Sequence, residues 1–176
     1  MNRIISSRLV RRLAVLLLPA VACSAPPAYD VVIRGGTVYD GSGNAPVFGD
    51  VAISGDSIVA IGRISGTGRS EVQAEGLAVA PGFINMLSWA TETLIEDGKS
   101  QGDIRQGVTL EVMGEGTSMG PLSDTLRAEM LADQGDIKFP VTWRTLRGYQ
   151  DSLVAKGIST NIASYVGATT CLLYTS

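Results

Sequence analysis

The chain contains no histidine. That single absence removes the Ser-His-Asp and Cys-His arrangements of nucleophilic catalysis, and with them the commonest metal ligand. Cysteine is nearly as scarce, with only Cys23 and Cys171, so no disulfide framework is expected. Phosphate-binding signatures are missing too: Gly114-Glu115-Gly116 is too short and too acidic to cradle phosphate, and no Walker or dinucleotide pattern occurs. Positive charge is thin outside the N-terminus. Arg3, Arg8, Arg11 and Arg12 lie in the first 22 residues; setting those four aside leaves 10 of the 14 basic residues against 17 acidic ones, a net of -7. A chain of that balance offers no electrostatic footprint for nucleic acid.

What remains is globular in composition. The 176 residues are 45% hydrophobic and 18% charged, and the 21 Gly and 7 Pro imply many turns. Length alone allows one ordinary domain, or one and a half small ones.

The segment 1–22 has a basic start and one apolar stretch, Leu13 to Ala22. Ten apolar residues reach about 15 Å as a helix, half of a bilayer core of about 30 Å. This is the pattern of a secretory signal peptide rather than a transmembrane helix. Ala20-Val21-Ala22-Cys23 resembles a bacterial lipobox, in which the cysteine becomes the lipidated first residue. The same residues also satisfy the Ala-x-Ala rule for ordinary cleavage. The lipobox reading implies an exported protein, periplasmic or membrane-anchored through Cys23. Residues 23–28 then read as a short stiff tether.

Residues 29–80 read as β-structure. Asp30–Arg34 is β-branched, Gly35-Gly36 interrupts it, and Thr37–Asp40 resumes. Asp50–Ser54 and Ser57–Ile61 flank Gly55-Asp56, a two-residue hairpin signal. Glu71–Ala74 and Leu77–Ala80 close the segment, which is expected to be antiparallel.

From Pro81 the pattern changes to alternating strand and helix, which implies a parallel sheet. Phe83–Leu87, Gly107–Met113 and Ile158–Val166 are the expected strands. Thr91–Arg105 is at best a broken helix, anchored by Leu94, Ile95 and Ile104. Ser123 can cap a helix Asp124–Gln134, and Thr142 a second, Trp143–Lys156, ended by Gly157. Trp143, Leu146, Tyr149 and Leu153 form an apolar stripe expected to be core.

Pro81-Gly82-Phe83-Ile84-Asn85-Met86-Leu87-Ser88-Trp89 resembles the first strand of metal-dependent amidohydrolases, which often reads Pro-Gly-Phe-Ile-Asp-x-His-x-His. Gly107-Val108-Thr109-Leu110 is similar to that family's second strand, and Asn161-Ile162-Ala163-Ser164 with Val166-Gly167 is similar to D-aminoacylase-like (N-acyl-D-amino-acid deacylase) members. The resemblance implies a small β-sandwich portion over 29–80. It implies the first strands and helices of an incomplete (β/α)8 TIM-like barrel over 81–170, since a whole barrel needs roughly 200 to 250 residues. It also implies zinc in the family, a small-molecule amide or N-acyl amino acid substrate, and hydrolysis by metal-activated water. Its histidine positions fall here on Leu87 and Trp89, and its cysteine ligand on Gly116. None of the three offers a donor, so no cofactor is expected in this chain.

Other candidates at the barrel mouth are Asn85, Ser88, Glu111 and Glu115. Glu111 lies in an otherwise apolar strand, where an unpaired carboxylate is costly. It is either a ligand or general base, or one half of a structural ion pair with an arginine such as Arg105. Residues 171–176 (Cys171-Leu172-Leu173-Tyr174-Thr175-Ser176) resemble the translation of a transposase-type sequencing adapter and are set apart as an artefact.

Two functions are open: a piece of an exported amidohydrolase-like hydrolase, itself inactive, or a non-catalytic lipid-anchored binding protein on a degenerate amidohydrolase barrel. The N-terminal reading has a direct check. The precursor is expected to be cut before Cys23 and to partition with membranes. Cys23→Ser should abolish both, and an unchanged N-terminal mass and unchanged partitioning on fractionation would remove the lipoprotein reading.

Overall fold

The computed structural model describes residues 27–175; the signal segment and Cys23 lie outside the described residues. The fold is mixed α/β, as the sequence implies, and it divides into two compact units. One runs to Val38 and from Val47 to Leu77; the other takes Tyr39–Pro46 and continues from Ala78.

The first unit is a sheet in the order β3-β2-β1-β4, with β1 Tyr29–Val38, β2 Val47–Ser54, β3 Ser57–Gly62 and β4 Gly68–Gln73. Strand β1 does not break at Gly35-Gly36. It continues through a register shift between Ile33 and Gly36, and Gly35 takes the left-handed backbone (φ 64°) that this bulge requires. The hairpin at Gly55-Asp56 joins β2 to β3. The expectation of purely antiparallel structure needs correction: β4 pairs parallel to β1, with Val32 opposite Glu71. The 62–68 loop carries the chain back along the sheet, which no local turn signal discloses.

A polar hub holds this sheet at its bulge. Arg34 donates from Nη1 to Asp50 Oδ2 at 3.1 Å and from Nη2 to Glu71 Oε1 at 2.7 Å, and it also reaches the carbonyls of Ile64 and Gly66. Asp50 Oδ1 accepts the Gly35 N–H at 2.9 Å. That backbone hydrogen bond, with Arg34 beside it, holds the Asp50 carboxyl below its ordinary range. The hydrogen bond from Arg34 does the same for Glu71.

The second unit is built on a three-stranded parallel sheet, β6-β7-β8, of Phe83–Asn85, Val108–Met113 and Asn161–Ser164. A two-residue strand, β5 Ala78–Val79, precedes it. Gly82 is needed where β6 begins, because a Cβ there would collide with the Thr109 side chain. Thr91–Arg105 is indeed broken, into α1 Thr93–Glu96 and α2 Gln101–Ile104. Helix α3 spans Asp124–Ala132, and Ser123 caps it by accepting the Leu126 N–H. Helix α4 is shorter than its stripe implied. It runs Leu146–Lys156, capped by Thr145 rather than Thr142, and ends at Gly157 with φ 89°. Trp143 is buried ahead of the helix, not on it. Its ring stacks near Phe139 and tilts against Tyr149, and Nε1 donates to the Met119 carbonyl at 2.7 Å. Leu94, Met113, Leu122, Val141, Tyr149 and Leu153 complete the buried cluster. Ala168–Thr175 form α5, in which Thr170 is buried and Cys171 to Thr175 are exposed.

Both edge strands of the parallel sheet lack a further partner among the described residues. Exposed apolar side chains gather there, at Phe83 and Ile84 on β6 and at Tyr165 and Val166 just past β8. No helix among the described residues is long and apolar enough to cross a membrane.

The hub sets the acid response of the first unit. The folded pKa values of Asp50 and Glu71 lie below their unfolded ones, so their contribution is complete above about pH 5 and is lost as pH falls through the folded values. Urea midpoints measured between pH 6 and pH 3 should therefore fall on acidification. Asp50→Asn should lower the midpoint at pH 6 and flatten the dependence; an unchanged slope would rule out the hub as its source.

Candidate functional site

Glu111 is the third of the four central residues of β7 and is 0% exposed. A buried carboxylate must be neutralised or hydrogen-bonded. Three hydroxyls meet that demand. Ser88 Oγ donates to Oε2 at 2.6 Å, Ser100 Oγ to Oε1 at 2.7 Å and Thr160 Oγ1 to Oε1 at 3.0 Å. The expected partner, Arg105, is engaged elsewhere: its Nε donates to Gln101 Oε1 at 2.9 Å. The ion-pair expectation is thus corrected, since the compensation is by neutral donors.

The donors come from separate places. Ser88 follows β6, Ser100 precedes α2 and Thr160 precedes β8, at sequence distances of 23, 11 and 49 residues from Glu111. Ser100 reaches the carboxylate from a left-handed backbone, φ 43°, which is costly for a residue with a Cβ. Nearby, Tyr149 OH donates to the Thr91 carbonyl at 2.6 Å. Burial, and then the negative charge of Glu111, push the Tyr149 phenol above its ordinary range.

The C-terminal end of the sheet carries the other candidates. Leu87, Ser88, Trp89 and Glu115 line one shallow recess of about 30 Å³ together with Met86 and Tyr165. Ser88 is turned down to Glu111, whereas its neighbours Leu87 and Trp89 are 51% and 74% exposed. The expected strand Phe83–Leu87 stops at Asn85, and residues 86 and 87 form a turn. Gly116 is exposed beside Glu115, and a Cβ there would meet nothing within 4 Å. Asn85 is held away from the recess, donating to Asp103 Oδ1 at 3.4 Å and accepting the Leu87 N–H. Glu111 does not line the recess either. Its role is to position Ser88, Ser100 and Thr160. The sequence marked Glu111 as in need of a partner, but it carried no signal for Ser100 or Thr160, since distant hydroxyls leave no periodic trace.

This donor set does not fit a zinc ion. Zinc takes sulfur, imidazole nitrogen and carboxylate oxygen, usually four in a tetrahedron. The recess offers one carboxylate, Glu115, amid side chains of Leu, Met, Trp and Tyr. Among the described residues no group of three or more Cys, Asp or Glu is placed to hold a metal.

No family model matches the chain. Curated relatives do. D-aminoacylase of Alcaligenes xylosoxydans xylosoxydans is 33% identical over 147 residues, covering 81% of this chain and 30% of the relative. N-acyl-D-glutamate deacylase of the same organism is 33% identical over 142 residues, covering 78% and 28%. Among solved structures, a D-aminoacylase described by its binuclear metal centre superposes with a TM-score of 0.68 at 31% identity, over 81% of this chain and 30% of that one. The N-acyl-D-glutamate deacylase of Bordetella bronchiseptica, complexed with zinc and a phosphonate inhibitor, gives 0.67 at 26% identity over the same shares. The chain thus spans about three-tenths of the length of the relatives it matches.

The Glu111 network yields a stability prediction. Glu111→Ala strands the buried hydroxyls of Ser88 and Thr160 and the half-buried one of Ser100, and should cost about 3 kcal/mol or more. Glu111→Gln keeps an acceptor oxygen and should cost about 1 kcal/mol. Urea unfolding at one fixed protein concentration, followed by tryptophan fluorescence, separates the two; equal losses would mean that the hydroxyls do not depend on the carboxylate.

Proposed function

We propose that this D-aminoacylase-like chain is part of a longer exported amidohydrolase-like hydrolase that acts on non-peptide C–N bonds of N-acyl amino acids. The observation that carries the reading is the superposition on D-aminoacylase at a TM-score of 0.68 and 31% identity. On this reading the first unit is a portion of a β-sandwich. The β6-β7-β8 sheet with its helices is the first part of a (β/α)8 barrel, whose reacting groups gather at the C-terminal ends of the strands. The open edges of β6 and β8 support this, because a parallel sheet is stable only with further strands and cover on both faces. Export and anchoring through a lipid on Cys23 belong to the same proposal.

The chain by itself is inactive on this reading. Its own residues supply scaffold: Glu111 orders three segments beneath the recess, and Leu87, Trp89 and Tyr165 form its exposed apolar rim. Activated water and the groups that hold it would have to come from elsewhere in the longer protein.

A second reading is favoured by one observation, the lack of donors at Leu87, Trp89 and Gly116. It makes the longer protein a lipid-anchored binding module that hydrolyses nothing. Release of free amino acid from a panel of N-acetyl-D-amino acids decides between them. The hydrolase reading expects turnover by the longer protein and none by residues 1–176. Absence of turnover by a folded, metal-supplemented longer protein would favour the binding module, and turnover by the 176-residue chain would overturn its inactivity.

A further inference from the structure

The chain enters the first unit at one end of its sheet, and the entry is pinned. Ala28 and Tyr29 both donate their N–H to the Thr67 carbonyl, at 2.9 and 3.2 Å. Just beyond, Asp30 Oδ2 accepts the Gly55 N–H at 2.7 Å, which ties the β2–β3 turn to the same spot. Arg69, at the start of β4, meets Asp30 Oδ1 at 3.4 Å. Chain entry, turn and strand start therefore converge on one end of the sheet. They surround a recess of about 150 Å³ lined by Pro27, Ala28, Tyr29, Asp30, Ser54 and Arg69. Val38, at the other end of β1, stands roughly 30 Å further along the strand.

That end is also on a short leash to Cys23, which precedes Ala28 by five residues. Fully extended, such a link spans at most about 18 Å, and Pro26-Pro27 makes it a stiff spacer rather than a loose one. Whatever holds Cys23 therefore holds this end of the sheet close by. The chemistry of the end suits a layer of lipid headgroups. In residues 27–30, 54–57 and 67–69 the charged side chains are Asp30, Asp56 and Arg69, and Ser54 and Ser57 add hydroxyls. These segments contain no leucine, isoleucine, valine or methionine that could enter acyl chains. Both signs of charge are present, which matches zwitterionic headgroups: each has a phosphate for Arg69 and an ammonium for a carboxylate.

We propose that this end, residues 27–30, 54–57 and 67–69, is the face that the first unit turns to a phospholipid bilayer, resting on zwitterionic headgroups. The inference rests on lipid anchoring through Cys23 and goes beyond it, by assigning the surface that meets the membrane.

The test uses the lipidated product of the 176-residue chain in phosphatidylcholine vesicles that contain a headgroup-nitroxide lipid. Cys171→Ser removes the exposed thiol, and a lipidated Cys23 offers none. A single new cysteine then carries a fluorophore at one of two exposed sites flanking β3: Asp56→Cys at the tied turn, or Arg63→Cys just past the far end. The strand between them separates the sites by roughly 20 Å, so quenching should be about two-fold or more stronger at 56 than at 63. Ser57→Cys, also exposed, replaces the first site if Asp56→Cys fails to fold. Equal quenching, or stronger quenching at 63, in a lipidated chain would overturn the proposal, because the unit would then meet the bilayer through another surface. An N-terminal mass without lipid would remove the anchor and this surface with it. The mass therefore separates failure of the anchoring reading from failure of the assigned face, and neither bears on turnover by the longer protein.

Discussion

A buried carboxylate with no cation beside it is the constraint on which the second unit depends. Glu111 sits at 0% exposure in the middle strand, and removing such a group from water costs several kcal/mol unless its oxygens are satisfied. Three hydroxyls from three segments satisfy them. Each then does something else. Ser88 is turned inward, between exposed Leu87 and Trp89. Ser100 accepts a left-handed backbone to reach the carboxylate, which places the break between α1 and α2. Thr160 stands just before β8, whose Ile162 lies opposite Glu111 in the sheet. The layout of the recess is therefore downstream of one side chain that does not line it.

The first unit meets a comparable problem with ions. A bulge at Gly35 leaves backbone groups to be satisfied, and Asp50 takes the Gly35 N–H while also accepting from Arg34. Arg34 in turn ties the strand to Glu71 of β4 and to two loop carbonyls. The parallel pairing of β1 with β4 is thus accompanied by a side-chain clasp across the same two strands.

Features set by a few neighbouring residues were legible in the sequence. Gly55-Asp56 specified its hairpin, Ser123 its cap and Gly157 its stop; the apolar runs marked the parallel strands, but Phe83–Leu87 shortens to Phe83–Asn85 and Ile158–Val166 to Asn161–Ser164. Features set by distant residues were not. The stripe from Trp143 to Leu153 has helical spacing, yet Trp143 is held ahead of the helix by Phe139, Tyr149 and the Met119 carbonyl, so Thr145 becomes the cap. The parallel direction of β4 follows from a loop path that carries no turn signature. At the candidate site the sequence singled out Leu87, Trp89, Glu115 and Ser88, which the fold brings together, and Glu111, whose partners it misassigned. An arginine in the neighbouring helix is the obvious partner on charge grounds. Three hydroxyls from distant segments take its place, and only tertiary structure discloses that.

The neutrality of the Glu111 partners has a consequence for ionic strength. Dissolved ions screen interactions between charges that water can reach, over about 8 Å at physiological salt, and screen enclosed ones far less. The hydroxyl bonds to Glu111 involve one charge, and those from Ser88 and Thr160 are buried, so added salt affects them little. The Arg34 clasp joins opposite charges whose side chains keep 18% to 33% of their surface in contact with water, and there counter-ions compete directly. The Arg34 clasp and the Glu111 network therefore respond differently to the same medium: a brine that loosens the first acts far less on the second.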